Sequence, residues 1–234
     1  MNKIKLEHDT QVSVVWYNNL DSRSFKSFSQ PKWSELVNRL SILQNNTNKY
    51  ARGVAIYGDM KDDTDENGNE YKKYRKDGNV IYRDVITLDY DDIPKLRPLH
   101  DAITETLKGI SWMYHTTFNH RTESPRIRLY IALNEHISAD EYRKYTKVLA
   151  NKIGHPVDEA SFVPSQAMVL PVKKSKDSIY IFKYNDAPAI KKEELNKMVV
   201  KNEPITVDYL NHFHRRDSSC LLYTSPSPRD KRQS

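Results

Sequence analysis

The chain has 234 residues, 38% of them hydrophobic and 29% charged, with a formal net charge of +6 and a pI near 9.1. That length suits one large domain or two small subdomains. No apolar run approaches the ~18 residues of a membrane span, and Met1 to His8 lacks the continuous apolar stretch of a secretory signal. A membrane or secreted protein is therefore not expected, a cytoplasmic one is, and the basic balance favours a polyanionic partner without requiring one.

In chain order, residues 11–17 (QVSVVWY) are β-branched and aromatic and read as a strand. Pro31 suits a first helical position, and Trp33, Leu36, Val37, Leu40 and Leu43 follow at the spacing of one helix face. After the polar break Asn45–Asn48, RGVAIYG (52–58) is a short strand candidate bounded by glycines. Residues 59–78 are acidic, then basic, and nearly free of aliphatic side chains, as in an exposed loop or hairpin. Asp63, Asp65, Asn67 and Gly68 mimic the start of a calcium loop, but its twelfth position is Tyr74 instead of the bidentate Glu, so a solvated turn is the better reading.

A long strand is expected over Asn79–Tyr90, ending in ITLDYDDI. Leu99, Ile103 and Leu107 then share one face of a helix over 99–108, closed by Gly109. SWMYHTTF and RIRLYIAL read as two further strands, and Ser138 with Glu141 forms a capping box. The helix it opens buries Tyr142, Tyr145, Leu149 and Ile153. AMVLPV and SIYIFKY read as strands, and 190–200 as a helix. A strand-helix-strand unit followed by a second mixed unit gives an α+β fold.

The tail from Cys220 resembles the translation of a sequencing-library adapter, so residues 220–234 are read as a non-native tail. It holds the chain's one cysteine, which leaves no basis for a disulfide or Cys-based zinc site in the rest. It also carries Arg229, Lys231 and Arg232 against Asp230, so the net charge without it is +4. The natural protein is expected to continue past Ser219.

Three constellations could carry chemistry. Asp89 and Asp91 stand two apart at a strand end, so their carboxylates share a face. Like charges that close need compensation, and a cation such as Mg²⁺ supplies it economically; two solvated acids helping a turn are the alternative. Arg126 and Arg128 likewise share a strand face, with His120 and Arg121 just upstream. Guanidinium groups suit phosphate oxygens, although, residue by residue, edge-strand arginines kept in solvent and an ordinary surface histidine are the better readings. His115, within a strand, is a packing residue. Asp158, beside its competitor Glu159, draws weight from its order after the other two sets.

Taken together, LDYDD, TTFNH with SPRIRLYIAL, VDEAS and QAMVLP resemble the archaeo-eukaryotic primase superfamily, specifically the primase-polymerase domains found beside helicases in phages, plasmids and virulence-associated protein E. The resemblance runs from about Val12 to Val172. It implies a palm sheet like that of the RNA-recognition motif, packed with helices, plus a smaller N-terminal α/β unit. The boundaries would be 1–78 for that unit and 79–184 for the palm, together a catalytic domain over 1–184, with 185–219 a helical linker toward a missing region such as a helicase. It further implies that Asp89, Asp91 and Asp158 bind the catalytic metals, Mg²⁺ or Mn²⁺, and that His120, Arg128 and Arg126 contact the nucleotide. Asn119 stands where many relatives have Ser, which puts the hydrogen bonding beside His120 in question.

The activity so implied is template-directed nucleotidyl transfer on single-stranded DNA with nucleoside triphosphates, using two cations about 3.5–4 Å apart. Lys173, Lys174 and Lys176 are candidates for holding template, or a solvated loop. His212 and His214 suit a solvated helix end better than a metal site. Two other readings stay open: a non-catalytic replication-initiation or nucleic-acid-binding module, and a metal-dependent nuclease.

Overall fold

The expected strands assemble into one antiparallel sheet in the computed structural model, which describes residues 3–91 and 93–200. The elements in order are β1 (Val14–Tyr17), β2 (Ser27–Ser29), α1 (Trp33–Ser41), β3 (Val54–Met60), β4 (Asp63–Thr64), β5 (Glu70–Tyr71), β6 (Val80–Tyr90) and α2 (Leu96–Thr106). They continue with β7 (Trp112–Thr116), β8 (Ile127–Ile137), α3 (Ala139–Ile153), β9 (Met168–Val169), β10 (Phe182–Asn185) and α4 (Lys192–Val200). The sheet runs β10-β7-β8-β6-β3-β1-β2, with β9 also on β3. The fold is α+β, and β3–β6 pairing joins the segments before and after residue 78 into the same sheet.

The period-2 alternation of β6, β7 and β8 divides the apolar residues between two cores. Ile86, Leu88 and Tyr90 pack with Trp112, Tyr114, Ile127, Leu129 and Ile131 against Leu99 and Ile103 of α2 and Tyr145, Leu149 and Ile153 of α3. On the other face Val85, Met113, Tyr130 and Ala132 meet Trp33, Leu36, Val37 and Leu40 of α1. Ser138 accepts from the Glu141 amide and Glu141 accepts from the Ser138 amide, which completes the capping box at the start of α3. The described part of the expected linker, residues 185–200, packs on the domain: Leu195 of α4 is fully buried beside α3. The region from 201 on, including His212, His214 and the tail, lies outside the described residues.

Where β3 changes partner, the sequence supplies a glycine. The first half of β3 pairs with β9 through Val54 and Ala55, and its second half pairs with β6 from Gly58 onward. Gly58 has φ +153°, and a Cβ there would lie 2.1 Å from the Tyr82 carbonyl oxygen. Arg83 plugs the opening between the diverging strands: it is fully buried, its Nε donates to the Tyr57 carbonyl at 2.8 Å, and its guanidinium lies 4.2 Å from the Tyr142 ring. Within the segment 59–78, β4 and β5 pair as a small antiparallel hairpin after β3 ends at Met60. There Asp65 accepts from the amides of Asn67 and Asn69 and from Tyr71 Oη, so it organises the turn itself.

Candidate active site

The apolar α1 face of the sheet turns polar toward the C-terminal end of β6. Antiparallel register sets Asp89 opposite Arg128 and Tyr90 opposite Ile127, so Asp91 and Arg126 fall next to each other just past the paired ends. Arg128 Nη2 donates to Asp89 Oδ2 at 2.5 Å, and Arg126 Nη1 donates to Asp91 Oδ2 at 2.9 Å. The two carboxylates thus share a face, as their spacing predicts, and their repulsion is met by two arginines across the strand pair without a cation being required. β8 lies between β7 and β6, which removes the edge-strand reading of these arginines. Arg128 is only 8% exposed.

The hydrogen-bonding capacity of this pair is incompletely used. Arg128 Nη1 donates to the Val169 carbonyl at 2.7 Å, yet Arg128 Nε and Asp89 Oδ1 are buried with no hydrogen-bond partner. A buried polar atom left in that state costs about 1–3 kcal/mol, a cost that a ligand taking up Asp89 Oδ1 would relieve. Burial opposes the charge on Arg128, but the field of Asp89, aided by Tyr130, outweighs it and raises the guanidinium pKa above its ordinary value. The main chain here is fixed by the segment after α3: Asp89 N donates to Ser161 Oγ and Asp158 N donates to the Asp89 carbonyl, both at 2.9 Å.

His115 sits beside Arg128 and is buried, as its place in a strand suggests. Its Nδ1 lies 3.0 Å from the Thr116 carbonyl, so that nitrogen carries the proton, and Nε2 accepts from Tyr130 Oη at 3.0 Å. Burial, reinforced by the Arg128 charge, pushes its pKa down to about 3. It is a neutral packing residue that props Tyr130 under the site.

Two adjoining cavities open over this end of the sheet. One of about 210 Å³ is lined by Asp89, Asp91, Arg126 and Arg128, and by Lys49 and Gln166. The other, of about 600 Å³, lies between the β7–β8 connection and residues 174–179, with His120, Arg121, Arg126 and Lys174 among its walls and Glu123 and Asp177 beside them. Arg126, Phe118 and Asn119 line both. The Arg126 amide donates to His120 Nδ1 at 3.1 Å, which leaves Nε2 as the protonated nitrogen. Burial lowers the His120 pKa, opposed by the charge of Glu123. His120 is thus a neutral donor beside cationic groups, an arrangement suited to phosphate oxygens.

Asp158 stands differently. Its backbone touches that of Asp89, but its exposed carboxylate accepts from the Ala160 amide at 3.0 Å as the cap of a 3₁₀ turn over Glu159–Phe162. It does not line the cavity shared by Asp89 and Asp91. Among the described residues no group of three or more His, Cys, Asp or Glu side chains is arranged to hold a metal ion. Of the lysine cluster, Lys174 lines the larger cavity, while Lys173 donates to the Lys176 carbonyl at 2.8 Å. Sequence reasoning missed Lys49, which follows the polar break in a stretch without periodicity. It also passed over Gln166 as a site residue, although Gln166 opens the QAMVLP stretch.

The family model described as the VapE N-terminal domain matches residues 1–201. The chain belongs to that family. None of the curated proteins compared matches this VapE N-terminal domain. Among solved structures, the AEP domain of the cyanophage S-2L primase-polymerase is similar to it with a TM-score of 0.42 and 11% identity, over 83% of this chain and 90% of the other. No helix among the described residues of this VapE-family domain is long and apolar enough to cross a membrane.

Proposed function

We propose that this domain is a template-directed nucleotidyltransferase, a DNA primase-polymerase that serves the replication of a phage or other mobile element beside a helicase. The observation that carries the reading is the joining of two cavities at Arg126, one with the paired Asp89 and Asp91 and the other with His120, Arg121 and Lys174. The motif resemblance to archaeo-eukaryotic primases supports it.

The smaller cavity offers carboxylates to a hard divalent cation among its cationic neighbours. Asp89 Oδ1 is buried without a partner, and Mg²⁺ uses one or two protein carboxylates completed by substrate phosphates. Asp89 and Asp91 would hold Mg²⁺ or Mn²⁺, with Asp158 joining as a third carboxylate after leaving the Ala160 amide. A cation there would supply Lewis acidity toward the primer 3′-hydroxyl and the departing pyrophosphate. The chain's own groups bind and orient. Arg126 and Arg128 offer planar donors to triphosphate oxygens, and His120 adds a neutral N–H that takes no proton from the nucleotide. Lys174, with Lys173 and Lys176 near it, would meet the single-stranded template through phosphate contacts that weaken with salt.

A second reading draws on one observation: both carboxylates already have arginine partners, as in a non-catalytic module that binds nucleic acid through side chains such as Arg121 and Lys174. Labelled deoxynucleotides and ribonucleotides, supplied with Mg²⁺ or Mn²⁺ on primed and unprimed single-stranded templates, separate the two. Wild type should incorporate label, and Asp89→Asn or Asp91→Asn should lose roughly 10²-fold or more while still binding DNA. Equal incorporation by wild type and both variants overturns the assignment; DNA binding without incorporation by any protein favours the binding module; shortening of the DNA would favour a nuclease.

A further inference from the structure

We infer that Lys49 holds a backbone phosphate of the primer strand near its 3′ end, and so fixes the side from which the 3′-hydroxyl enters the smaller cavity. This rests on the nucleotidyltransferase reading and assigns its site a strand and a direction.

Across this end of the sheet the groups fall in strand order. The larger cavity lies at the β7–β8 connection, Arg126 and Arg128 come with β8, Asp89 and Asp91 with β6, and Lys49 with the connection into β3, the other neighbour of β6. Lys49 lines the smaller cavity and not the larger. In nucleotidyl transfer the 3′-oxygen bonds to the α-phosphorus as the bond to pyrophosphate breaks, with attacking and leaving oxygens roughly in line. The leaving phosphates would sit beside Arg121 and Lys174, in a cavity that Glu123 and Asp177 also border. With the α-phosphorus beside Asp89 and Asp91, the hydroxyl then arrives from the Lys49 side. The nucleotide's own phosphates lie on the opposite side, so the phosphates that meet Lys49 are the linkages next to the primer's 3′ end.

Lys49 is free to make that contact. It is exposed, its ammonium lies 4.8 Å from the centroid of the Tyr50 ring, and among the described residues it has no carboxylate partner. The other cations of the smaller cavity, Arg126 and Arg128, each hold an aspartate. Gln166, which also lines it, is neutral and answers no phosphate charge. The segment that carries Lys49 is fixed. Asn46 Oδ1 accepts from the Asn48 amide and Asn48 Oδ1 from the Tyr50 amide, both at 2.9 Å. The Asn46 amide donates to the Lys173 carbonyl, the Lys173 amide to the Gln44 carbonyl, and the Leu170 amide to the Gly53 carbonyl. A fixed main chain under a flexible four-carbon stem lets the ammonium meet a strand phosphate as a point charge.

The test is steady-state primer extension with Mg²⁺ or Mn²⁺ by wild type, Lys49→Gln, Lys49→Arg and Lys108→Gln, the last removing an exposed lysine just past α2. Substrates are an all-phosphate primed template and a set in which an uncharged methylphosphonate replaces one linkage at a time, near the primer's 3′ end or in the facing template. Lys49→Gln should raise the KM for primed template about tenfold and leave the nucleotide KM unchanged. Its salt dependence should fall by about one phosphate contact. Neutralising one primer linkage should weaken wild type as far as Lys49→Gln does and weaken that variant no further. Lys49→Arg should stay close to wild type, and Lys108→Gln should match it. The inference is overturned, with the nucleotidyltransferase reading left standing, by Lys49→Gln matching wild type, by an effect confined to the nucleotide KM, by additivity at every primer linkage, or by coupling to a template linkage instead. No incorporation by wild type on any primed template overturns that reading and this inference with it.

Discussion

Replacing Arg128 by Met should show how far the fold depends on the ion pair at the floor of the site. Methionine fills the volume of the aliphatic stem but withdraws the donors to Asp89 and to the Val169 carbonyl. Breaking a buried pair by removing one partner costs about 3–5 kcal/mol. The Asp89 side chain keeps 19% of its exposure, so part of its charge can be hydrated and the low end, about 3 kcal/mol, is expected. At 2–4 °C per kcal/mol for a domain of this size, that lowers Tm by about 6–12 °C. Urea unfolding followed by circular dichroism measures it, and Asp89→Asn/Arg128→Met should recover at least about 1 kcal/mol because no charge is then left unpaired. A single-variant loss below about 1 kcal/mol, or a double variant no more stable than Arg128→Met, would refute the reasoning.

Two further outcomes test the surrounding structure. His115 binds its proton with a pKa near 6.5 when unfolded and about 3 when folded, so between these values the unfolded chain holds more protons and stability rises with pH. It should fall as pH drops below about 6.5, by up to about 1.4 kcal/mol per unit, and His115→Gln should flatten that slope in urea titrations at pH 4 to 7. Gly58→Ala should cost several kcal/mol, since its Cβ would stand 2.1 Å from the Tyr82 carbonyl and 2.8 Å from Arg83 Cα, both main-chain atoms of the neighbouring strand. A melting temperature unchanged from wild type would show that β3 and β6 part more easily than their packing suggests.

Much of the site was legible locally. The Asp89/Asp91 and Arg126/Arg128 spacings each put two charges on one strand face, because side chains alternate with period 2, and both sets do line one cavity. His115 was legible as packing because it interrupts an apolar strand. The compensation of the two acids was not legible: a cation and an arginine answer the same repulsion equally well in one dimension. Which is present depends on register, since a one-residue slip between β6 and β8 would turn Arg128 to the other face. Arg83 was passed over for a similar reason. A charged residue in a strand reads as solvent-facing, and only the splitting of β3 between β9 and β6 creates the buried hole its guanidinium fills.

By itself the amino-acid order determined most of the elements and their inward faces, though not β2 (Ser27–Ser29), because helix caps, apolar periodicity and turn residues act over a few positions. The Ser138–Glu141 box and the stripe Tyr142, Tyr145, Leu149, Ile153 are of this kind. Tertiary structure alone decided that Asp89 meets Arg128, that Arg126 borders two cavities, and that residues 185–200 pack on the sheet and α3. Each of these depends on contacts between residues tens of positions apart, where the energy comes from burial and pairing across strands and no local preference records the partner.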